Sequence, residues 1–218
     1  MNTGAFEKNI SRKGNGDGVD FVKELESNEL KRVYREHIRE DFPRDERRPL
    51  FSMERMQKEG RYDCYGYYRE DCLLAYACFI LTRNGAYALL DYFAVVSELR
   101  GQGIGSAFLR DLRGNVSANC GVFLEAENPN AAKTDEEKRL RERRIRFYLA
   151  NGAEQTGTGC HLFGVDYNIL FVPTGAADRA AETEFLHRAA EELYREVYGR
   201  AYGRLCKPYE TGGGPGEG

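Results

Sequence analysis

Three glycines alternate with other residues in RGQGIG: Gly101, Gly103 and Gly105 stand between the strand-like run DYFAVV and an amphipathic run through Ile104, Ala107, Phe108 and Leu112. Residues without side chains let backbone N–H groups close around phosphate oxygens, and the N-terminus of the helix that follows adds a favourable dipole. A strand, a glycine loop and a helix start, in that order, make an anion cradle suited to a diphosphate. Two nucleotide-binding patterns fail on detail. A P-loop requires Lys and then Ser or Thr after its last glycine, whereas Gly105 is followed by Ser106 and Ala107. A dinucleotide fingerprint belongs near the first strand, with an acidic residue about 20 positions further on, whereas here strands and two helices precede the loop. Downstream, GVFLEAE at 121–127 alternates Glu125 and Glu127 with Leu124 and Ala126, so both carboxylates share one face of a strand. On the residues alone that face is either plain polar surface or a source of proton acceptors.

The elements that position these groups are readable from periodicity. VDFVKEL at 19–25 reads as a first strand, followed by Ser27 or Asn28 as a cap and a helix through Leu30, Val33, Tyr34 and Ile38, which Pro43 ends. A second, short helix starts near Pro49 and stops at Gly60. The period then becomes that of strands at 62–68, 73–82 and 87–96, and Asn84-Gly85 supplies the positive φ angles of a tight hairpin between the last two. A helix opens near Gly103, the strand at 121–127 follows, and Thr134 with Glu137 forms a capping-box pattern for a helix that Asn151-Gly152 closes. Strands are expected at 160–164 and 166–173, and an amphipathic helix over 178–205. Along that last helix Leu186, Ala190, Leu193, Val197 and Ala201 recur on one side, which must pack either on the chain's own core or on a second copy, as in a homodimer.

Composition narrows the function classes. Across 218 residues the chain is 41% apolar and 31% charged, with a net charge of −3. These values fit one globular domain and give no reason to expect nucleic acid or an anionic membrane as partner. No apolar run approaches the length of a membrane span, and the first residues lack the apolar stretch of a signal peptide, so a cytoplasmic location is expected. The six cysteines form no CxxC pair and the three histidines are isolated, which predicts reduced, mostly buried thiols and no metal. Residues 1–18 and 208–218 read as flexible tails, flanking a domain at 19–173 and a helical segment at 174–207.

Motif and element order together resemble the GNAT superfamily of GCN5-related N-acetyltransferases. RGQGIG matches the family pattern Q/R-x-x-G-x-G/A at Arg100, Gly103 and Gly105; FAV, VFLEAE and IRFYLANGA resemble the strands and helix end that line the family's site. The resemblance spans about residues 19–173. It implies an α/β fold with a mixed sheet in the order β-α-α-β-β-β-α-β-α-β-β, here with an added C-terminal helix. It also implies acetyl-CoA as co-substrate, with backbone contacts from Phe93, Ala94 and Val95 to the pantetheine arm. The pyrophosphate would meet Arg100, Gly101, Gln102, Gly103, Ile104, Gly105 and Ser106. Where many members carry Asn seven residues before the helix tyrosine, and often Ala three residues after that Asn, this chain has Arg141 and Arg144.

The implied reaction is transfer of an acetyl group to an amine. With a pKa near 10.4, roughly one amine in 2,500 is neutral at pH 7, a handicap of about 4.6 kcal/mol. A carboxylate can take that proton through water, an acid can protonate the departing thiolate, and strand N–H groups can stabilise the oxyanion. The resemblance points to Glu125 as base and Tyr148 as acid, with Asp91 and Asp166 as weaker candidates for the base. Tyr62, Tyr65, Tyr67, Tyr68 and Tyr76 are expected mostly in packing. A small primary amine is the expected acceptor; the alternatives are a protein or peptide N-terminus or lysine, or a non-catalytic acetyl-CoA-binding module.

Overall fold

A computed structural model describes residues 10–13, 19–174 and 183–210, and the chain forms two compact units. The first runs up to Phe79 and includes Tyr92–Val116. The second comprises Ile80–Asp91 and the residues from Ser117 onward. Strands β4 (Cys72–Leu81) and β5 (Tyr87–Val95) belong partly to each.

In the first unit the sheet order is β1 (Ile10–Lys13), β2 (Val19–Glu24), β3 (Tyr62–Arg69), β4, β5. Strands β1 and β3 flank β2 antiparallel, and Asp20 lies opposite Arg69, whose guanidinium donates to both carboxylate oxygens at 2.7 and 3.0 Å. Helix α1 (Ser27–Val33) starts at Glu26, one residue before the expected cap, because the Glu29 carboxylate accepts from the Glu26 backbone N–H. It continues through a π-helical turn at Tyr34–Ile38 into the short α2 (Arg39–Asp41), and the chain leaves it at Phe42, before Pro43. Helix α3 (Leu50–Lys58) begins after Pro49 as expected, and α4 (Ile104–Leu112) follows the glycine loop. Leu30, Ile38, Met53, Tyr62, Tyr76 and Phe108 form the most deeply buried part of this core. The strand tyrosines act as expected: Tyr62, Tyr65, Tyr67 and Tyr76 are buried, and Tyr68 stacks on Phe21.

In the second unit β5 pairs in parallel with β6 (Gly121–Glu127), from Tyr87 opposite Gly121 to Leu89 opposite Phe123. The connection over 96–120 is long enough to return the chain for a strand in the same direction. Strand β8 (Val165–Pro173) runs antiparallel to all of β6, then come β7 (Glu154–Leu162) and β9 (Cys206–Glu210). Helix α5 (Asp135–Ala150) starts at Thr134, whose hydroxyl accepts from the Glu137 N–H at 3.1 Å. Helix α6 (Thr183–Tyr198) is followed by a 3-10 turn at Gly199–Ala201 and the short α7 (Tyr202–Leu205). Leu186, Ala189, Ala190, Leu193 and Tyr194 are buried, so that side of α6 is covered within the chain.

The element order over 19–173 is the expected one, with three differences at its margins. Ile10–Lys13 pairs with β2 where a tail was expected; ISRK has a single strong strand former and takes its conformation from the ladder. Strand β7 starts at Glu154 rather than near 160, because EQTGTG offers no alternating pattern and its register shifts between Gln155 and Gly159. The expected last helix stops at Tyr198, and Cys206–Glu210 forms an edge strand that tolerates Pro208. The remaining tail residues, 1–9, 14–18 and 211–218, and the expected helix start at 178–182 lie outside the described residues.

All six cysteines are free thiols; Cys64, Cys78, Cys160 and Cys206 are buried, whereas Cys72 and Cys120 are exposed. Brief treatment of the native chain with a maleimide should therefore add two labels, and denaturation should raise the number to six, read by intact mass. Rapid labelling of all six without denaturant would contradict this packing. Among the described residues no helix is long and apolar enough to cross a membrane.

Candidate active site

In the first unit, β5 ends at Val95, a 3-10 turn at Ser97–Leu99 reverses the chain, and Gly101 and Gly103 take φ of 80° and 81°. A side chain at such φ is strained whatever space surrounds it, and at both glycines a Cβ would find open space. Gly103 is also the residue from which α4 starts, and no side chain caps that helix. Its first turn therefore presents backbone donors with the positive end of the helix dipole behind them. Ile104 and Gly105 are buried and Ser106 is half-buried. Phe93 stacks on Phe108 of α4, with ring centroids 5.8 Å apart, and Phe108 stacks in turn on Tyr67. This row of rings fixes the end of β5 against the helix, and Ala94 lies almost buried beside it.

Arg100 and Gln102 use their side chains differently from what the motif alone suggests. The Arg100 guanidinium donates to the Val95 carbonyl at 3.0 Å and to Asp41 at 2.7 Å, and the other Asp41 oxygen accepts from the Tyr76 hydroxyl at 2.9 Å. Burial and the Asp41 charge push the Tyr76 pKa well up, which keeps that hydroxyl a donor. Gln102 donates to the Glu98 carbonyl. Both side chains thus brace the loop from within. Nearby, the Tyr92 hydroxyl accepts from the Arg48 N–H at 2.6 Å and donates to the Glu46 carbonyl at 3.2 Å, while Phe42 meets its ring edge-on. The turn between α2 and α3 is held to β5 by this tyrosine, a residue that the sequence reading did not single out.

The second unit contains the two acid-base candidates. On β6, Glu125 lies opposite Ile169 and Glu127 opposite Tyr167, so they share a face, as their alternation requires. Their partners differ. Glu127 meets Arg141 at 3.5 Å and Arg144 at 3.6 Å, and Arg141 also donates to the Asn128 carbonyl. The two arginines that replace the family's Asn and Ala thus brace the β6–α5 connection. Glu125 is half-buried and accepts a hydrogen bond from the Tyr194 hydroxyl of α6 at 2.8 Å. Tyr148 on α5 is buried, and burial raises its pKa against the opposing charge of Arg144, so its phenol stays protonated at neutral pH. Its carbonyl accepts from the N–H groups of Asn151 and Ala153, which closes the helix end where Asn151-Gly152 was expected to. Asp166 pairs with His161 at 2.8 Å on the β7–β8 hairpin, and Asp91 is half-buried on β5. Among the described residues no group of three or more His, Cys, Asp or Glu side chains is placed to hold a metal ion.

Comparison with known proteins agrees with this architecture. The family model for acetyltransferases of the GNAT family matches residues 29–135. No curated protein matches the chain. Among solved structures, a protein from Bacteroides thetaiotaomicron assigned to the GNAT family is similar at 20% identity and a TM-score of 0.59, covering 82% of this chain and 98% of its own. The ribosomal-protein-S18-alanine N-acetyltransferase from Escherichia coli is similar at 20% identity and a TM-score of 0.52, covering 74% and 97%. An aminoglycoside 6'-N-acetyltransferase complexed with coenzyme A is similar at 14% identity and a TM-score of 0.53, covering 72% and 99%. Residues 29–135 thus match the GNAT family of acetyltransferases, a family of acyltransferases, and the solved structures share the chain's fold.

Proposed function

We propose that the protein transfers an acetyl group from acetyl-CoA to a primary amine of a small molecule, by direct attack while both substrates are bound. The observation that carries the cofactor half is the uncapped start of α4, entered through two glycines of left-handed φ directly after β5. Backbone donors from Gly101 through Ser106 would hold the pyrophosphate, and the β5 backbone at Phe93, Ala94 and Val95 would pair with the pantetheine amides. The aminoglycoside acetyltransferase of the same fold, solved with coenzyme A, supports this choice of co-substrate.

In the reaction the amine nitrogen attacks the thioester carbonyl, forming the C–N bond, and its proton passes through water to Glu125. Collapse of the tetrahedral adduct breaks the C–S bond, and Tyr148 protonates the departing thiolate. The different partners of the two β6 carboxylates favour Glu125 as base, because both oxygens of Glu127 face arginines whereas Glu125 meets a neutral phenol. The high pKa of Tyr148 suits a donor that must stay protonated until the sulfur leaves. The solved structures of this fold include enzymes named for an aminoglycoside and for a ribosomal protein, so the acceptor class is decided by turnover. A set of small polyamines and aminoglycosides should release CoA faster than peptides bearing a free N-terminus or a lysine. Turnover confined to the peptides would replace the small-molecule reading with a protein acceptor.

A further inference from the structure

Helix α6 lies beyond the 29–135 segment that the family model covers, and it places one polar atom on the catalytic strand. The Tyr194 side chain is 1% exposed, stacks parallel to Tyr198 with centroids 5.9 Å apart, and points its hydroxyl at Glu125 at 2.8 Å. Neighbouring side chains fix this arrangement. Leu186, Ala190 and Leu193 bury the same side of α6, and the Thr158 hydroxyl of β7 meets His187 two turns earlier in the helix, at 3.2 Å. A buried phenol held this firmly does not rotate away, so Glu125 meets a donor in a defined direction.

We infer that Tyr194 is a positioning residue for the base: the appended helix orients the Glu125 carboxylate and holds it in its ionised, proton-accepting form. This rests on the reading of Glu125 as the base. The physical basis is that a hydrogen bond donated to a carboxylate stabilises its charged state, and that a buried phenol next to a negative charge does not itself ionise. Burial first, and then the Glu125 charge, hold the Tyr194 pKa well above its ordinary value, so the proton stays on the tyrosine oxygen and Glu125 is the acceptor of the pair. Tyr198 on the same helix and Cys160 on β7 are among the groups that face this pair.

The test uses the full chain with its glutamate side-chain carboxyls labelled by 13C, the Glu125 signal being identified by its loss in Glu125→Gln. Removing the hydroxyl in Tyr194→Phe, which keeps the ring and its packing, should raise the titration midpoint of Glu125 by about one pH unit and leave the other glutamates in place. The acidic limb of CoA release from acetyl-CoA, followed with spermidine as acceptor or with water alone, should move to higher pH by the same interval. An unmoved midpoint in a variant with a native melting profile overturns the proposal, as does a moved midpoint with an unmoved acidic limb that Glu125→Gln abolishes. If Glu125→Gln leaves the acidic limb intact, the assignment of Glu125 as base fails, which is a separate result. Should Tyr194→Phe melt early, Tyr194→Trp, which restores a buried ring with an N–H donor, should return the midpoint toward that of the wild type; failure to do so with folding restored also overturns it.

Discussion

Tyr148→Phe is expected to lower kcat by about 10- to 1,000-fold while acetyl-CoA binds within about twofold of the wild-type affinity. The substitution keeps the ring that fills the buried position on α5 and removes only the hydroxyl, so packing and helix closure should persist. What the variant would lose is the proton proposed for the departing thiolate. An interaction made only at the transition state lowers kcat and kcat/KM together, and that pattern separates a proton donor from a residue that merely lines the CoA arm. The partner experiment is Glu125→Gln, which should also reduce the rate and should flatten the acidic limb of the pH-rate profile. A carboxylate that acts as base loses function as pH falls through its pKa, and the amide has no such transition. Near wild-type turnover in both variants, with folding intact, would show that these two side chains do not move the protons.

The second large effect is on cofactor affinity. Gly103→Val should weaken acetyl-CoA binding at least about tenfold by calorimetry. At φ 81° a β-branched residue costs on the order of 1–3 kcal/mol of backbone strain, and the open space around an added Cβ leaves room for the backbone to shift. The loop would relax away from the geometry that turns its N–H groups to the phosphates. Gly114 provides a control because it has φ 84° and equally open surroundings outside the loop. Gly114→Ala should show comparable strain in a melting experiment and unchanged acetyl-CoA affinity. Equal affinity for wild type and Gly103→Val would remove RGQGIG from the cofactor site.

Much of this architecture is legible in the residues because the signals are local. Asn84-Gly85 forms the expected reversal, with Gly85 at φ 66° and the Thr82 N–H bonded to the Tyr87 carbonyl. Thr134 caps α5, and Gly103 opens α4. What local pattern cannot show is where a side chain finds a distant partner. Glu125 and Tyr194 are 69 residues apart, and nothing near either predicts their hydrogen bond. The arginines at 141 and 144 look like departures from a cofactor-binding pattern, yet they reach back to Glu127 across the β6–α5 connection. Arg100 sits in the motif itself, but its side chain braces Val95 and Asp41. Edge strands β1 and β9 escaped because their short, mixed sequences become strands only beside an existing ladder.

The most direct test of the central claim is a turnover measurement: the purified chain with acetyl-CoA and a mixed library of primary amines, read by free CoA thiol and by mass spectrometry of the acceptors. CoA release should depend on both the amine and the enzyme, with stoichiometric appearance of an amine bearing one added acetyl group, and both signals should be lost in Gly103→Val at limiting acetyl-CoA. Saturable acetyl-CoA binding without acetylation of any amine or peptide offered, at any pH between about 6 and 9, a span around the neutral pH to which acid-base catalysts are generally matched, would contradict the claim and mark the chain as a binding module on an enzyme's fold.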